Sequence, residues 1–315
     1  MKNIKPLLSI LIPSYNSGEL IELCLKSIIN QTVDFEYEII ICDQSTDFTK
    51  DIIKKYCDKY DFVKMFSLAK PDLFNARIEL FKQAKGKYIW YIDSDDLLNQ
   101  NSLQTIKSFI HNEAVDLLFL NYKSFSKDKT AQSDTKKWFF QNTDDFFNLL
   151  FYTDEINPLW LKIYKKEIIE EEIIDRIPRV HIGDDKMLSM AFSKHIKRIK
   201  TISFDEPIYY YRINENSVTR NIDASSIAKD FYNNFSFSSS FKNESFFNVE
   251  KYSVFYLMCL ANIIKIYIKS SVKKETKVTL SSIRNSALFI NSFSVIKIVP
   301  RKERLLLRLF RWKLL

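Results

Sequence analysis

The chain has 315 residues, enough for one large domain or two ordinary ones, and its 46% apolar content supports a sizeable core and excludes bulk disorder. Only three glycines occur, Gly18, Gly86 and Gly183, which excludes a dinucleotide fingerprint or a Walker loop, because both need clustered glycine. With 47 basic and 39 acidic residues the net charge is +8, a balance open to an ordinary Lys-rich protein, an anionic membrane, nucleic acid or a diphosphate substrate.

The four cysteines, Cys24, Cys42, Cys57 and Cys259, form no CxxC pair. With three histidines (His111, His181 and His195) they argue against a zinc site and for a reducing compartment. The N-terminal MKNIKPLLSILIPSYN lacks the h-region and cleavage site of a signal peptide. No uncharged run reaches the roughly 18 residues that span a bilayer.

Leu7 to Ile12 is a continuous apolar run between Pro6 and Pro13, the pattern of a strand buried on both faces. Ser17 is placed to cap a helix running to about Asn30. Glu38 to Cys42 reads as a second buried strand, and Asp47 as the cap of an amphipathic helix carrying Ile52, Ile53, Tyr56 and Cys57. A third short strand covers Phe62 to Phe66, a helix covers about Leu73 to Ala84, and a fourth strand covers Tyr88 to Ile92. Strands alternating with helices predict an α/β domain with a mainly parallel sheet, in which ligands sit beyond the carboxyl ends of the strands. Three polar clusters fall there: Ser14-Tyr15-Asn16, Asp43-Gln44-Ser45 and Asp93-Ser94-Asp95-Asp96.

Further on, Val115 to Tyr122 and Leu159 to Tyr164 read as strands, with a helix from Lys165. Asp184 to Lys194 reads as a helix and Ile208 to Tyr211 as a strand. From about Ser225 the pattern is helical and aromatic-rich, and Val254 to Ile268 is an almost all-round apolar helix suited to a bundle or a subunit interface.

Asp93, Asp95 and Asp96 follow an apolar strand directly. Carboxylates this close repel, and desolvation worsens the repulsion. A hard divalent cation such as Mg²⁺ or Mn²⁺ relieves both costs and completes its shell with water and phosphate. The plain alternative is a solvated Asp-rich turn capping the next helix.

The surrounding residues are similar to those of the family 2 glycosyltransferases. LLSILIPSYNSGELIELCLKSIINQT, EIIICDQSTDFT and NARIELFKQAKGKYIWYIDSDDLL resemble that family's opening strand–turn–helix, second strand with acidic loop, and Arg-bearing helix with metal motif. PLWLKIYKKEII and YYYRINENSVTR resemble recurring segments of its bacterial members, so the likeness covers about residues 7 to 220. It implies a GT-A fold, a Rossmann-like nucleotide-sugar-binding domain at 1–224. Residues 225–315 fall outside the likeness, and their own pattern predicts a helical C-terminal region suited to membrane association or oligomerisation.

The resemblance also implies roles. Pro13 and Tyr15 fall at the nucleotide base, although Tyr15 also suits core packing. Asp43 falls where a carboxylate accepts from uracil N–H. Arg77 falls beside the nucleotide and diphosphate, the alternative being a surface helix residue. Asp95 falls near the ribose, the donor sugar and the metal, Asp96 at the principal metal ligand, and Asp93 completes the motif. In His181-Ile182-Gly183-Asp184-Asp185, Asp185 aligns with the catalytic base, and a one-residue shift would give that role to Asp184. The plain alternative is helix capping by both acids. Tyr211, Arg212 and Ser217 fall in a tail able to close over the diphosphate. Trp160 and Lys162 fall on the acceptor side, where Trp160 equally suits core packing. Cys42, Gln44 and Ile78 depart from the family's usual acid, Gly and Asn.

The implied activity is an inverting, Mn²⁺- or Mg²⁺-dependent transfer from a nucleotide-sugar, UDP-linked, to a surface glycan or lipid-linked oligosaccharide at the cytoplasmic membrane face. The rivals are a sugar-phosphate nucleotidyltransferase, a degenerate sugar-binding scaffold and a nucleic-acid binder. The first lacks its Gly-rich loop, the second is opposed by intact acids, and the third by acidic strand ends. The ending RKERLLLRLFRWKLL sets Arg301, Arg304, Arg308 and Arg311 along one helical stripe with Leu305, Leu306, Leu309 and Phe310 largely opposite. That predicts either peripheral membrane contact through 300–315 or a helix packed on the protein.

Overall fold

The computed structural model describes residues 5–111, 114–126, 134–213, 224–269 and 273–312. They fall into two compact units: 1–143 with 158–174 and 191–215, and 144–157 with 175–190 and 216–315.

The first unit is built on a seven-stranded sheet ordered β3-β2-β1-β4-β8-β6-β9. β1 (Leu8–Ser14), β2 (Tyr37–Asp43), β3 (Val63–Phe66) and β4 (Tyr88–Tyr91) pair in parallel, as the alternating pattern predicts. β1 and β2 are buried along their whole length, which is why both read as largely apolar runs, and the Ser9 hydroxyl inside β1 donates to Glu38 of β2 at 2.7 Å. Their crossovers are α1 (Glu19–Ile29), α2 (Thr49–Lys59) and α3 (Leu73–Gln83). Pro13 is tolerated in β1 because pairing with β4 ends at Leu11↔Tyr91, two residues earlier. Gly86 has no substitute, since a Cβ there would sit 2.5 Å from the Ser9 backbone nitrogen.

Several predicted boundaries shift. Ser17 does not cap α1: Gly18 occupies the N-cap with no side-chain bond. Asp47 does accept from the Thr49 N–H at 3.0 Å at the start of α2. After the short β5 (Leu97–Leu98) and α4 (Ser102–Ile110), the single strand expected over Val115–Tyr122 is two, β6 (Leu117–Phe119) and β7 (Tyr122–Phe125). They belong to different sheets because the buried Asn121 breaks the run: its side chain donates to the carbonyls of Phe204 and Glu206 and accepts from the Ile208 N–H. Only Lys162–Tyr164 of the predicted Leu159–Tyr164 strand is extended, within β8 (Lys162–Lys165), antiparallel to β4 and β6. β9 (Ile199–Thr201) closes the edge, and β10 (Tyr209–Arg212) lies between β5 and β7 in a separate three-stranded sheet.

Helices make up the second unit. It holds most of α5 (Thr143–Tyr152), and the boundary between the units crosses α7 (Asp184–Ser193); α6 (Glu171–Ile174) belongs to the first unit. α8 (Ala224–Ser238), α9 (Val249–Lys269), α10 (Lys273–Asn285), α11 (Ala287–Ser292) and α12 (Arg301–Arg311) complete it. Their core is aromatic: Phe231, Phe235, Tyr256, Phe289 and Phe310 are buried together, and Phe147 stacks on Phe246 at 3.9 Å. Residues 249–268 are long and apolar enough to cross a bilayer by length and composition alone. Here Tyr252, Tyr256, Leu257, Leu260, Ala261 and Ile264 of that helix are core residues.

α12 departs from its predicted helical wheel. Leu307 and Phe310 face the core while Leu305 stays 61% exposed. Arg304 folds back to donate to the Val299 and Lys297 carbonyls, and the Arg311 guanidinium lies 4.2 Å over the Phe293 ring. Four arginines therefore do not share one solvent-facing stripe.

Candidate active site

The carboxyl ends of β1, β2 and β4 are joined by side-chain hydrogen bonds. Asn16, with φ 49°, donates its backbone N–H to Ser45 Oγ at 2.7 Å and accepts the Thr46 N–H at 2.8 Å through Oδ1. The Ser17 and Ser94 hydroxyls meet at 2.5 Å. Asn tolerates a positive φ better than most residues, which explains its place in this turn.

Asp43 is buried at the end of β2. Its Oδ1 accepts from the Ser45 hydroxyl at 2.7 Å, and its Oδ2 is buried with no hydrogen-bond partner. Ser14 Oγ, across the β1–β2 pair in register with Asp43, is likewise unpartnered. Buried acceptors are normally satisfied, so an orphaned carboxylate oxygen at a strand end marks a place for a donor from outside the chain. Tyr15 follows immediately and leaves 53% of its surface exposed, so it does not pack in the core. Pro13 is buried within β1.

Gln44, which departs from the family's glycine, links two elements. Its side-chain amide donates to the Lys70 carbonyl at 2.7 Å and accepts from the Asp72 N–H at 3.0 Å. Asp72 then caps α3 through the Asn75 N–H. α3 carries Arg77, which is buried rather than a surface residue, with a guanidinium nitrogen 3.9 Å from Asp93 Oδ1. Tyr91 at the end of β4 donates its hydroxyl to the Arg77 carbonyl at 2.7 Å.

The three carboxylates after β4 are not equivalent. Asp96 is fully buried. Its Oδ2 accepts from the Tyr209 hydroxyl at 2.6 Å and its Oδ1 from the Arg212 N–H at 2.6 Å. Burial, reinforced by Asp93 and Asp95, pushes its pKa well above the usual carboxylate range, although both hydrogen bonds act the other way. Asp93 and Asp95 keep part of their surface exposed. Arg212 is buried, donates Nε to the Asp95 carbonyl at 2.7 Å and places its guanidinium 4.5 Å over the Phe125 ring. One of its terminal nitrogens is buried without a partner.

No group of three or more His, Cys, Asp or Glu side chains converges as a cation cage among the described residues. Two partly exposed carboxylates at a strand end do fit a hard cation whose remaining ligands are water and diphosphate oxygens. Asp96, the expected principal ligand, is the buried one of the three, held by Tyr209 and Arg212.

Trp160 stacks on Tyr209 at 4.6 Å and on Tyr211 at 5.3 Å, and is itself buried. Its core alternative therefore describes it, and it packs on the ring whose hydroxyl reaches Asp96. Lys162 is fully buried and donates to the Pro158 carbonyl. Ser217 lies outside the described residues.

Asp184 and Asp185 belong to the second unit, at the N-terminus of α7. Asp184 is buried and Asp185 partly exposed. Asp230 accepts the backbone N–H groups of His181 (2.8 Å) and Ile182 (3.0 Å) through one oxygen, fixing the turn into α7. Gly183 is at φ 85°, and Asn234 donates to the Ile182 carbonyl behind it. His181 remains largely exposed. Tyr209, Asp230 and Asn234 were missed by sequence reasoning. The Tyr209–Arg212 run on a strand was the only available signal for the first, and α8 offered none for the others.

The profile of glycosyl transferase family 2 matches residues 9–172, more than half of the chain. The chain belongs to glycosyl transferase family 2. As a family 2 chain it is 27% identical over 223 residues to the putative glycosyltransferase EpsH of Bacillus subtilis, covering 68% of this chain and 63% of EpsH. It is 28% identical over 212 residues to the poly(ribitol-phosphate) beta-N-acetylglucosaminyltransferase TarS of Staphylococcus aureus, covering 64% of this chain and 35% of TarS. The match thus spans less than two thirds of either relative. A crystal structure of S. aureus TarS 1–349 superposes with TM-score 0.66 at 20% identity, covering 97% of this chain and 87% of that one; TarS 1–349 has also been solved with UDP and with UDP-GlcNAc. The family's GT-A fold, with its mainly parallel sheet and a helical C-terminal region, is therefore the fold of this chain.

Proposed function

We propose that residues 1–224 form the catalytic domain of an inverting glycosyltransferase that takes a sugar from a UDP-sugar to a hydroxyl of a surface glycan or lipid-linked saccharide. The observation that carries the reading is the buried, unpartnered Oδ2 of Asp43 beside the exposed Tyr15, at the edge where three strand ends meet. A uracil N–H matches that acceptor, and a ring face matches the tyrosine. The complexes of TarS with UDP and UDP-GlcNAc support the donor class.

In this reading Asp95, with Asp93, holds a Mg²⁺ or Mn²⁺ ion, which when bound neutralises charge growing on the departing diphosphate. Asp96 anchors the turn that carries both. Arg77 and Arg212 lie behind the carboxylates as cations for the diphosphate. Asp185 accepts the proton of the acceptor hydroxyl as its oxygen attacks the anomeric carbon; the bond from that carbon to the diphosphate breaks and UDP leaves. Its partial exposure favours Asp185 over Asp184.

The test is nucleotide release from a panel of nucleotide-sugars with Mn²⁺, using the full chain. A UDP-sugar should be turned over, Asp95→Ala should abolish turnover, and Asp185→Asn should abolish transfer while retaining donor binding. Binding of no nucleotide-sugar by the wild type would end the proposal.

A further inference from the structure

The outer face of α12 has no role in the chemistry above, yet its composition is specific. Residues 297–312 contain six cationic side chains and a single acid, Glu303, which is held by Lys265 at 2.9 Å. Leu307 and Phe310 fix the helix inward. Outward it presents Leu305, 61% exposed, and Trp312, 73% exposed, with exposed Arg301, Lys302 and Arg308 around them. Positions 305 and 312 are two turns apart, so the leucine and the tryptophan share one face. Ile298, also exposed, precedes the helix.

We propose that this face docks the protein on an anionic lipid bilayer, with Leu305 and Trp312 entering the headgroup boundary and Arg301, Lys302 and Arg308 lying among the lipid phosphates. Charge chooses the occupant. A second copy of the same face would set cation against cation. A nucleic-acid backbone would satisfy the cations but leave Leu305 and Trp312 in water. An anionic bilayer satisfies both, an apolar layer beneath a layer of phosphate, and tryptophan is suited to that boundary. Arg304 and Arg311 are already engaged with the Val299 carbonyl and the Phe293 ring, which leaves the outward cations to the membrane.

The experiment is flotation of the full chain with phosphatidylcholine vesicles and with vesicles containing phosphatidylglycerol, at low and high salt. No nucleotide-sugar is present, so the outcome is separate from the catalytic reading. The chain should float with anionic vesicles only, and less at high salt. Each cation near an anionic leaflet is worth roughly fivefold in partitioning, so Arg301→Glu with Arg308→Glu should weaken binding by at least about 30-fold. Leu305→Ser with Trp312→Ser should also abolish flotation, with an unchanged melting curve because both side chains are exposed. Failure of the wild type to float, flotation by both double variants, or a vesicle-free dimer that they dissolve would overturn the proposal.

Discussion

The Tyr209 hydroxyl donates to Asp96 Oδ2 at 2.6 Å and accepts the Asp93 N–H at 3.2 Å. A single phenol from β10 thereby ties both ends of the carboxylate cluster after β4. The ring is held by the Trp160 stack, so the hydroxyl is positioned by packing rather than by solvent. Tyr209→Phe removes the one donor to Asp96 Oδ2 among the described residues. It should cost about 1–3 kcal/mol of stability in urea denaturation. An unchanged midpoint would show that Asp96 does not need this anchor.

Gly183 carries a different demand. At φ 85° it occupies backbone that side-chain-bearing residues seldom adopt, and a Cβ there would meet Asn234 Nδ2 at 2.5 Å. Gly183→Ala should destabilise the protein by about 1–3 kcal/mol. Asn234→Ala alone loses that side chain's bonds to the Ile182 and Asp230 carbonyls, but in its background Gly183→Ala should cost less, because the clash is gone and only the strained backbone remains. No added cost in thermal melts of the double variant would assign the whole effect to the clash.

These two sites mark where the sequence was legible. β1, β2 and β4 were readable because strands buried on both faces leave largely apolar runs, and Asp43, Arg77 and Asp93–Asp96 stand at fixed places beside them. Which of the carboxylates is buried was not readable. It is set by Tyr209 and Arg212, more than 110 positions away in the chain, and no local pattern encodes which aspartate a distant strand will bury. The split between β6 and β7 was hidden for a similar reason: Asn121 sits in an apolar run, and its hydrogen bonds reach residues 204–208. α12 was recognised as amphipathic, but the side facing the core depends on Phe293 and on the carbonyls near Val299, which a helical wheel does not contain.

Lys186 gives a pH-dependent prediction. Its ammonium is buried, donates to the Thr153 carbonyl and to Asp154, and lies 4.3 Å over the Phe255 ring. Burial lowers its pKa from 10.5, with Asp154 opposing. Between the lowered folded value and 10.5 the unfolded chain therefore binds more protons than the folded one. The contribution of Lys186 to stability rises with pH across that window and is lost as pH falls through it. Compared with Lys186→Met, the wild type should gain stability as pH rises toward 10.5, by at most about 1.4 kcal/mol per pH unit. Urea titrations of both proteins across that range test the sign. A gap that narrows in the opposite direction would contradict it.

Asp43 offers the sharpest test of the nucleotide reading. Its Oδ1 is occupied by the Ser45 hydroxyl and its Oδ2 is buried and unpartnered, so the carboxylate is poorly satisfied without a ligand. Uracil brings an N–H to such an oxygen; cytosine has none at the corresponding ring nitrogen. The wild type should therefore prefer UDP to CDP. Asp43→Asn replaces one acceptor oxygen by an amide donor and removes the charge from the other, while preserving size. A hydrogen bond to a charged group is worth about 1.5–3 kcal/mol, so UDP affinity should fall by roughly tenfold or more and the preference over CDP should disappear. Folding stability should not fall with it, because Oδ2 has no internal partner to lose. Calorimetric titration of both nucleotides against both proteins measures this directly. Equal UDP affinity in wild type and variant would move the base away from Asp43, and the orphaned oxygen would then have to be explained by some other ligand at the same strand end.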